Sequence, residues 1–187
     1  DRKSDIRPFR TAVTPSERIT FLEGRQRVRV HWGGFSLVRA TLNLLETACA
    51  ADQRFDRLTM LSGADFPIKA ASEFDQVLNS DREYLHVGVN LTTDEANPLA
   101  RIVRRYYLRD LRLPGPLKRW LMYRVKIPRR PYRAISSYHG SAFWSLTAPC
   151  VDYILDFVQR HPDYSRFHRW TFLPEEVFFQ SIVKSSP

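Results

Sequence analysis

Apolar residues recur along this chain with two different periods. Arg27–Val30 (RVRV) alternates strictly, and Leu58–Leu61, Tyr84–Val87 and Phe143–Leu146 are short β-prone runs. These four stretches predict strands. Helical spacing lies between them. Ser36 is placed to cap a helix carrying Leu37, Leu44, Leu45 and Ala48. Ser72 with Asp75 three residues on resembles a capping box, ahead of an apolar face of Phe74, Val77 and Leu78. Thr147 and Pro149 open a helix bearing Val151, Ile154, Leu155 and Val158, and Pro174 suits the first helical position before Val177, Phe178, Ile182 and Val183. Strands alternating with helices predict an α/β sandwich around a mainly parallel sheet. Such sheets bind ligands beyond the carboxyl ends of their strands.

The pattern changes between Asn97 and Arg133. There Arg, Tyr and Trp crowd together around Pro114-Gly115-Pro116, which predicts two short amphipathic helices and an irregular loop. No internal repeat or low-complexity tract interrupts the chain.

Composition narrows the classes. A length of 187 residues suits one domain with a real core, and 43% hydrophobic residues argue against disorder. No apolar run approaches the ~20 residues of a membrane span, and the charged opening Asp1-Arg2-Lys3-Ser4-Asp5 is no signal peptide. The charge is the unusual total: 29 Lys and Arg against 20 Asp and Glu, a net +9. Such a surface fits an anionic partner, whether nucleic acid, acidic lipid headgroups or a phosphorylated small molecule; a merely solvated Arg-rich surface is the blander reading. Cys49 and Cys150 sit in helical patterns among apolar neighbours. They read as buried free thiols, with a single disulfide as the alternative, and no spacing of Cys or His fits a metal site.

Four segments carry candidate chemistry. In LSGADFPIK (61–69) an apolar strand runs into a glycine, a carboxylate and a rigid ring. Gly63 allows close approach or positive φ, and Asp65 either meets a ligand or only fixes the turn. In HWGGFSL (31–37) two glycines join a strand to a helix, as phosphate-binding loops do, but the spacing matches neither the dinucleotide fingerprint nor the P-loop. In YHGSAFWSL (138–146) aromatic rings lie beside Gly140 and Ser141, a combination that suits either a sugar ring or core packing. In LPEEVFFQ (173–180) Glu175 and Glu176 fall in a first helical turn. The helix dipole alone accounts for both; a cleft-facing carboxylate is the catalytic alternative, as a general base.

These segments, in this order, resemble the core-2/I-branching N-acetylglucosaminyltransferase and peptide O-xylosyltransferase family. LSGADFPIK is similar to that family's S/C-G-x-D-F/Y-P-I segment, HWGGFSLVRATLNLL to its Trp-containing segment and helix, GSAFWSL to its G-S-x-x-(F/W) strand, and PEEVFFQSIVKSSP to its P-x-E-x-F-F and N-S-P. Asp1-Arg2-Lys3-Ser4 resembles the end of its first nucleotide-binding strand, H-V-D-x-K-S. The resemblance implies a GT-A-like three-layer sandwich, incomplete at both ends: a single partial catalytic domain over 1–187 with a variable basic insertion at about 90–133. It implies inverting transfer of N-acetylglucosamine or xylose from a UDP-sugar to an acceptor hydroxyl of a glycan or glycoconjugate. No cofactor is expected, and no divalent metal, in keeping with the lack of a D-x-D triplet; cations of the protein then neutralise the leaving UDP, the family's main ones being expected beyond Pro187.

Residue by residue, the resemblance makes Glu176 the catalytic base and Glu175 the solvent or capping carboxylate. It places Asp1, Trp32, Ser62, Gly63 and Asp65 on the donor. Gly140, Ser141 and Trp144 go on the acceptor side, with Arg101 and Arg104 as a weaker match there. Two cysteines cannot supply the disulfide framework of the animal enzymes, so the expectation is a bacterial cytoplasmic enzyme, peripheral at the inner face of the membrane, decorating a surface polysaccharide. The competing class is a basic binding module for nucleic acid or an anionic surface without catalysis. No RNP, KH, helix-turn-helix or zinc signature supports nucleic acid as the partner.

Overall fold

The structure, a computed structural model, describes residues 1–186 apart from 53, 112 and 125. Its helices are α1 (Arg7–Thr11), α2 (Phe35–Cys49), α3 (Ala71–Leu78), α4 (Arg101–Arg104), α5 (Gly115–Arg124), α6 (Ala148–Arg160), α7 (Pro162–His168) and α8 (Phe178–Lys184). Its strands are β1 (Arg57–Thr59), β2 (Tyr84–Asn90) and β3 (Tyr138–Thr147).

The sheet differs from the expected mainly parallel one. Among the described residues it has three strands in the order β1-β3-β2, and both pairings are antiparallel. β1 and β2 run the same way, as a strand–helix–strand alternation predicts. The later strand β3 enters between them in the opposite direction. RVRV forms no strand. Its backbone instead ties down the chain start, with Arg2 N donating to Val28 O at 2.8 Å. Alternation gives a strand its faces but not its partner, and no partner strand lies beside this one among the described residues.

Register fixes which face is apolar. Leu58 opposes Leu146, and Leu85 opposes Trp144. The ring and branched side chains of this face pack against Phe35, Val38, Leu42 and Leu45 of α2, Val151, Ile154 and Phe157 of α6, and Phe178, Phe179 and Ile182 of α8. Each fully buried side chain of this kind contributes about 1.5–3 kcal/mol. The other face carries Thr59, Tyr84 and Phe143, all exposed. Among the described residues only one face of the sheet is covered, where three layers were expected.

Helix starts show which local signals operate. Thr147 caps α6 as expected, its side chain accepting from Cys150 N at 3.4 Å. Ser72 does not cap α3; the flanking residue is Ala70, without a side-chain bond. Ser36 is not the cap of α2 either. Gly34 occupies that position, and Ser36 lies inside the first turn. α8 is buried all round from Phe178 to Ile182, so its polar side chains need internal partners. Ser181 Oγ donates to Val177 O at 2.6 Å and accepts from Tyr138 N at 2.9 Å, and Tyr164 OH donates to Phe178 O at 2.9 Å.

Both cysteines are free thiols. Cys150 is half-buried, and desolvation pushes its thiol up to about 12. Cys49 is exposed rather than buried, because it ends α2 after the apolar face has passed. Among the described residues no helix is long and apolar enough to cross a membrane.

Candidate functional site

Three of the four motif segments meet around the short 3₁₀ turn Pro174–Glu176. The approach to that turn is strained. Leu173 holds φ 48° and ψ 52°, the left-handed region, which costs a branched side chain about 1–2 kcal/mol. Its N–H donates to Gly33 O at 3.2 Å, joining the turn to the HWGG loop. Trp32 of that loop is exposed and meets Phe172 edge-on at 5.6 Å, while the Arg109 guanidinium lies over both rings, 5.4 Å from Trp32 and 4.6 Å from Phe172.

The two glutamates occupy different surroundings. Glu176 keeps 29% of its side chain accessible, and its Oε2 lies 3.0 Å from Nε2 of His139 on β3. A carboxylate oxygen accepts, so with the ring protonated at Nε2 His139 donates to it and fixes the carboxylate's direction. Glu175 is only 7% exposed, and its buried Oε2 has no hydrogen-bond partner among the described residues. Burial pushes its carboxyl up to about 7, with the charges of Glu176 and Asp110 adding to the rise. The expectation that Glu175 serves as the solvent or capping carboxylate is thereby corrected. In a 3₁₀ turn neighbouring side chains diverge by about 120°; here Glu175 points inward and Glu176 stays partly open.

Asp110 is the residue the motifs did not reveal. Its Oδ2 accepts from Ser36 N at 2.9 Å and its Oδ1 from Ser36 Oγ at 2.6 Å. It thus caps α2 from 74 positions away. This explains Gly34: a side chain there would collide with the Asp110 carboxylate and crowd His31 O. One signal in the sequence could have found Asp110, for it is the sole acidic residue between Glu95 and Asp152. His139 was likewise missed, though it adjoins the quoted Gly140.

The remaining candidates are placed as follows. Asp1 Oδ1 accepts from Lys3 N at 3.0 Å and Val30 N at 3.1 Å, binding the chain start to RVRV. Gly140 is required sterically, since a Cβ would collide with His86 O on β2 and press on Gln180 of α8. Ser141 O accepts from the Gln180 amide. Trp144 is 4% exposed and packs on Phe179 at 5.6 Å. The structure therefore puts that ring in the core, not on a surface an acceptor could reach; Phe143, one residue back and on the opposite face, is the exposed ring. Arg101 is exposed. Arg104 pairs with Glu95 Oε1 at 2.8 Å and donates to Thr92 O at 2.9 Å, a structural engagement at the base of the basic segment.

The fourth motif stands apart in character. Asp65 Oδ2 accepts from Ser62 N at 2.5 Å, and Asp65 N donates to Ser62 O at 3.3 Å, so the carboxylate closes its own turn. A Cβ at Gly63 would meet open space, and Phe66 beyond it is 84% exposed. Among the described residues Gly63 has neither a positive φ nor a protein neighbour that a Cβ would strike.

A basic cleft of about 920 Å³ borders this site. Arg2, Lys3, Arg27, Arg29, Arg39 and Arg169 line it, and Ser36 and Asp110 form part of its wall. Cations at this density favour a multiply charged anion. Among the described residues no group of three or more His, Cys, Asp and Glu is placed to hold a metal ion.

A family model, Core-2/I-Branching enzyme, matches residues 16–187. The chain is 28% identical over 169 residues to xylosyltransferase 1 of Rattus norvegicus and to that of Homo sapiens, covering 86% of this chain and 19% and 16% of those proteins. It is 26% identical over 153 residues to the N-acetyllactosaminide beta-1,6-N-acetylglucosaminyl-transferase of Homo sapiens, covering 82% of this chain and 36% of that protein. The chain thus spans less than a fifth of the length of the xylosyltransferases it matches.

Proposed function

We propose that this chain, which belongs to the Core-2/I-Branching enzyme family, carries the acceptor-activating part of an inverting, metal-independent glycosyltransferase. The donor in this reading is a UDP-sugar, and the acceptor is a hydroxyl of a glycan or glycoconjugate. One observation carries it: Glu176 is a partly accessible carboxylate oriented by His139.

The chemistry follows from that pair. The acceptor oxygen attacks the anomeric carbon from the face opposite the nucleotide. The bond from that carbon to the phosphate oxygen breaks, and UDP leaves with its electron pair. The acceptor proton passes to Glu176. His139 holds one carboxylate oxygen, so the other is aimed at the incoming hydroxyl. The leaving diphosphate gains negative charge as the bond breaks, and the cations of the cleft beside Asp110 fit that charge. Asp1, whose carboxylate accepts from Val30 N and which lines a second pocket that shares Arg27 with that cleft, suits the nucleoside end. Xylose and N-acetylglucosamine are the candidate sugars, since relatives bear both names.

The test is UDP release from a panel of UDP-sugars, with and without acceptor glycans, in the presence of a chelator. Turnover that persists with chelator supports the reading. Release that requires an added divalent ion, or transfer by the intact protein that survives Glu176→Gln, would overturn it.

A further inference from the structure

The basic segment folds as a lobe with a closed neck. Tyr106 N donates to Ile127 O at 3.0 Å, Arg129 N donates to Arg104 O at 2.8 Å, and Arg105 bridges Pro128. The neck is anchored inward by Arg129, whose guanidinium donates to Val103 O, Phe167 O and Thr171 Oγ1 at 2.7–3.0 Å. Beyond the neck stands α5, and its packing is unusual. Gly115, Pro116, Leu117, Arg119, Trp120 and Arg124 are all exposed. A ten-residue helix is marginal in water without an apolar face to bury. Leu117, Trp120 and Leu121 share one face by their three- and four-residue spacing. Trp120 is 56% exposed, and Leu117 and Ile127 are exposed with it.

The charge of the lobe is one-sided. Residues 111–133 include eight Lys and Arg, and no Asp or Glu occurs between Asp110 and Asp152. A second copy of so cationic a surface would repel the first. The exposed aliphatic side chains separate the remaining anionic partners. Leu117 and Ile127 offer nothing to a phosphodiester strand, which would need aromatic platforms. Both gain from entering an acyl layer beside a tryptophan at headgroup depth.

We propose that this lobe is a docking surface for an anionic lipid bilayer, on which α5 lies in the interfacial plane. Its cations meet the headgroups while Leu117, Trp120 and Ile127 enter the acyl boundary. This inference does not depend on the chemistry assigned to Glu176.

The experiment is co-sedimentation of the intact chain with vesicles of phosphatidylcholine alone and of phosphatidylcholine mixed with phosphatidylglycerol, at low and high salt. The expected result is binding to the anionic vesicles, weakened by salt and absent with the neutral ones. Arg119→Ala and Arg124→Ala should each weaken it about fivefold. The double variant Leu117→Glu/Trp120→Glu should abolish it with the far-ultraviolet circular dichroism retained, since both side chains are exposed and neither belongs to a buried core cluster of the described residues. Unchanged binding by the double variant would overturn the proposal. So would capture by a single-stranded oligonucleotide without capture by anionic vesicles, or no binding to either vesicle.

Discussion

Ser36 gives both of its hydrogen-bond donors to the carboxylate of Asp110: the amide at 2.9 Å to one oxygen and the hydroxyl at 2.6 Å to the other. The pair fastens the base of the basic segment to the first turn of α2, one residue beyond the Arg109 guanidinium that covers Trp32 and Phe172. Removal of the carboxylate leaves a helix-start amide without its acceptor. Asp110→Ala should therefore cost about 1 kcal/mol, within the usual range for a lost cap. For a chain of this size that is a fall in Tm of roughly 2–4 °C. A thermal melt checks it, and an unchanged Tm would mean the cap is redundant.

Glu176→Gln keeps the shape of the site and removes the proton acceptor. Transfer should fall about 10²- to 10⁴-fold, with UDP affinity nearly intact because the substitution leaves the basic cleft unaltered. Single-turnover transfer and calorimetric UDP binding separate the two quantities. Near-normal turnover would remove Glu176 from the chemistry.

His139→Ala tests orientation, since the ring touches the carboxylate and not the reacting atoms. The expected change is a drop in kcat of about 10- to 100-fold with little change in the donor KM. Partial rescue by His139→Gln, which restores an N–H donor, is expected. A variant that lost only stability would show no such rescue.

Glu175 makes stability depend on pH. Its carboxyl rises from 4.5 in the unfolded chain to about 7 in the folded one, so the folded state binds the extra proton. The stabilisation is complete below about pH 4.5 and is lost as pH climbs to about 7. The range corresponds to roughly 3 kcal/mol. Glu175→Gln should remove this part of the slope. Its Tm advantage over the parent should grow between those two pH values and level off above them. Parallel curves across that window would contradict the buried ionisable assignment.

Several elements were legible in the sequence because their causes are local. The apolar spacing behind Thr147 gave α6 and its cap, and the run after Pro174 gave α8. The alternation at 27–30 misled, since pairing depends on a neighbour that no local pattern encodes. The direction of the sheet was hidden for the same reason: β3 lies about 50 positions after β2 in the chain and between the other two strands in space. At the site, the adjacent glutamates were visible but their inward and outward directions were not, because a left-handed residue ahead of them sets the turn. Asp110 and His139 needed contacts across 74 and 37 positions. The neighbours of Trp144 left a sugar platform and core packing both open, and the family resemblance put it on the acceptor side; strand alternation gave it to the core and gave Phe143 to the solvent.

Leu173 bears a consequence for how this site could change over time. Glycine would adopt the same backbone angles without steric cost, so the stretch ahead of Pro174 could be made sturdier by a single substitution. That change would also slacken the turn that aims the two carboxylates. Selection for heat resistance and selection for catalytic precision would pull this one backbone position in opposite directions.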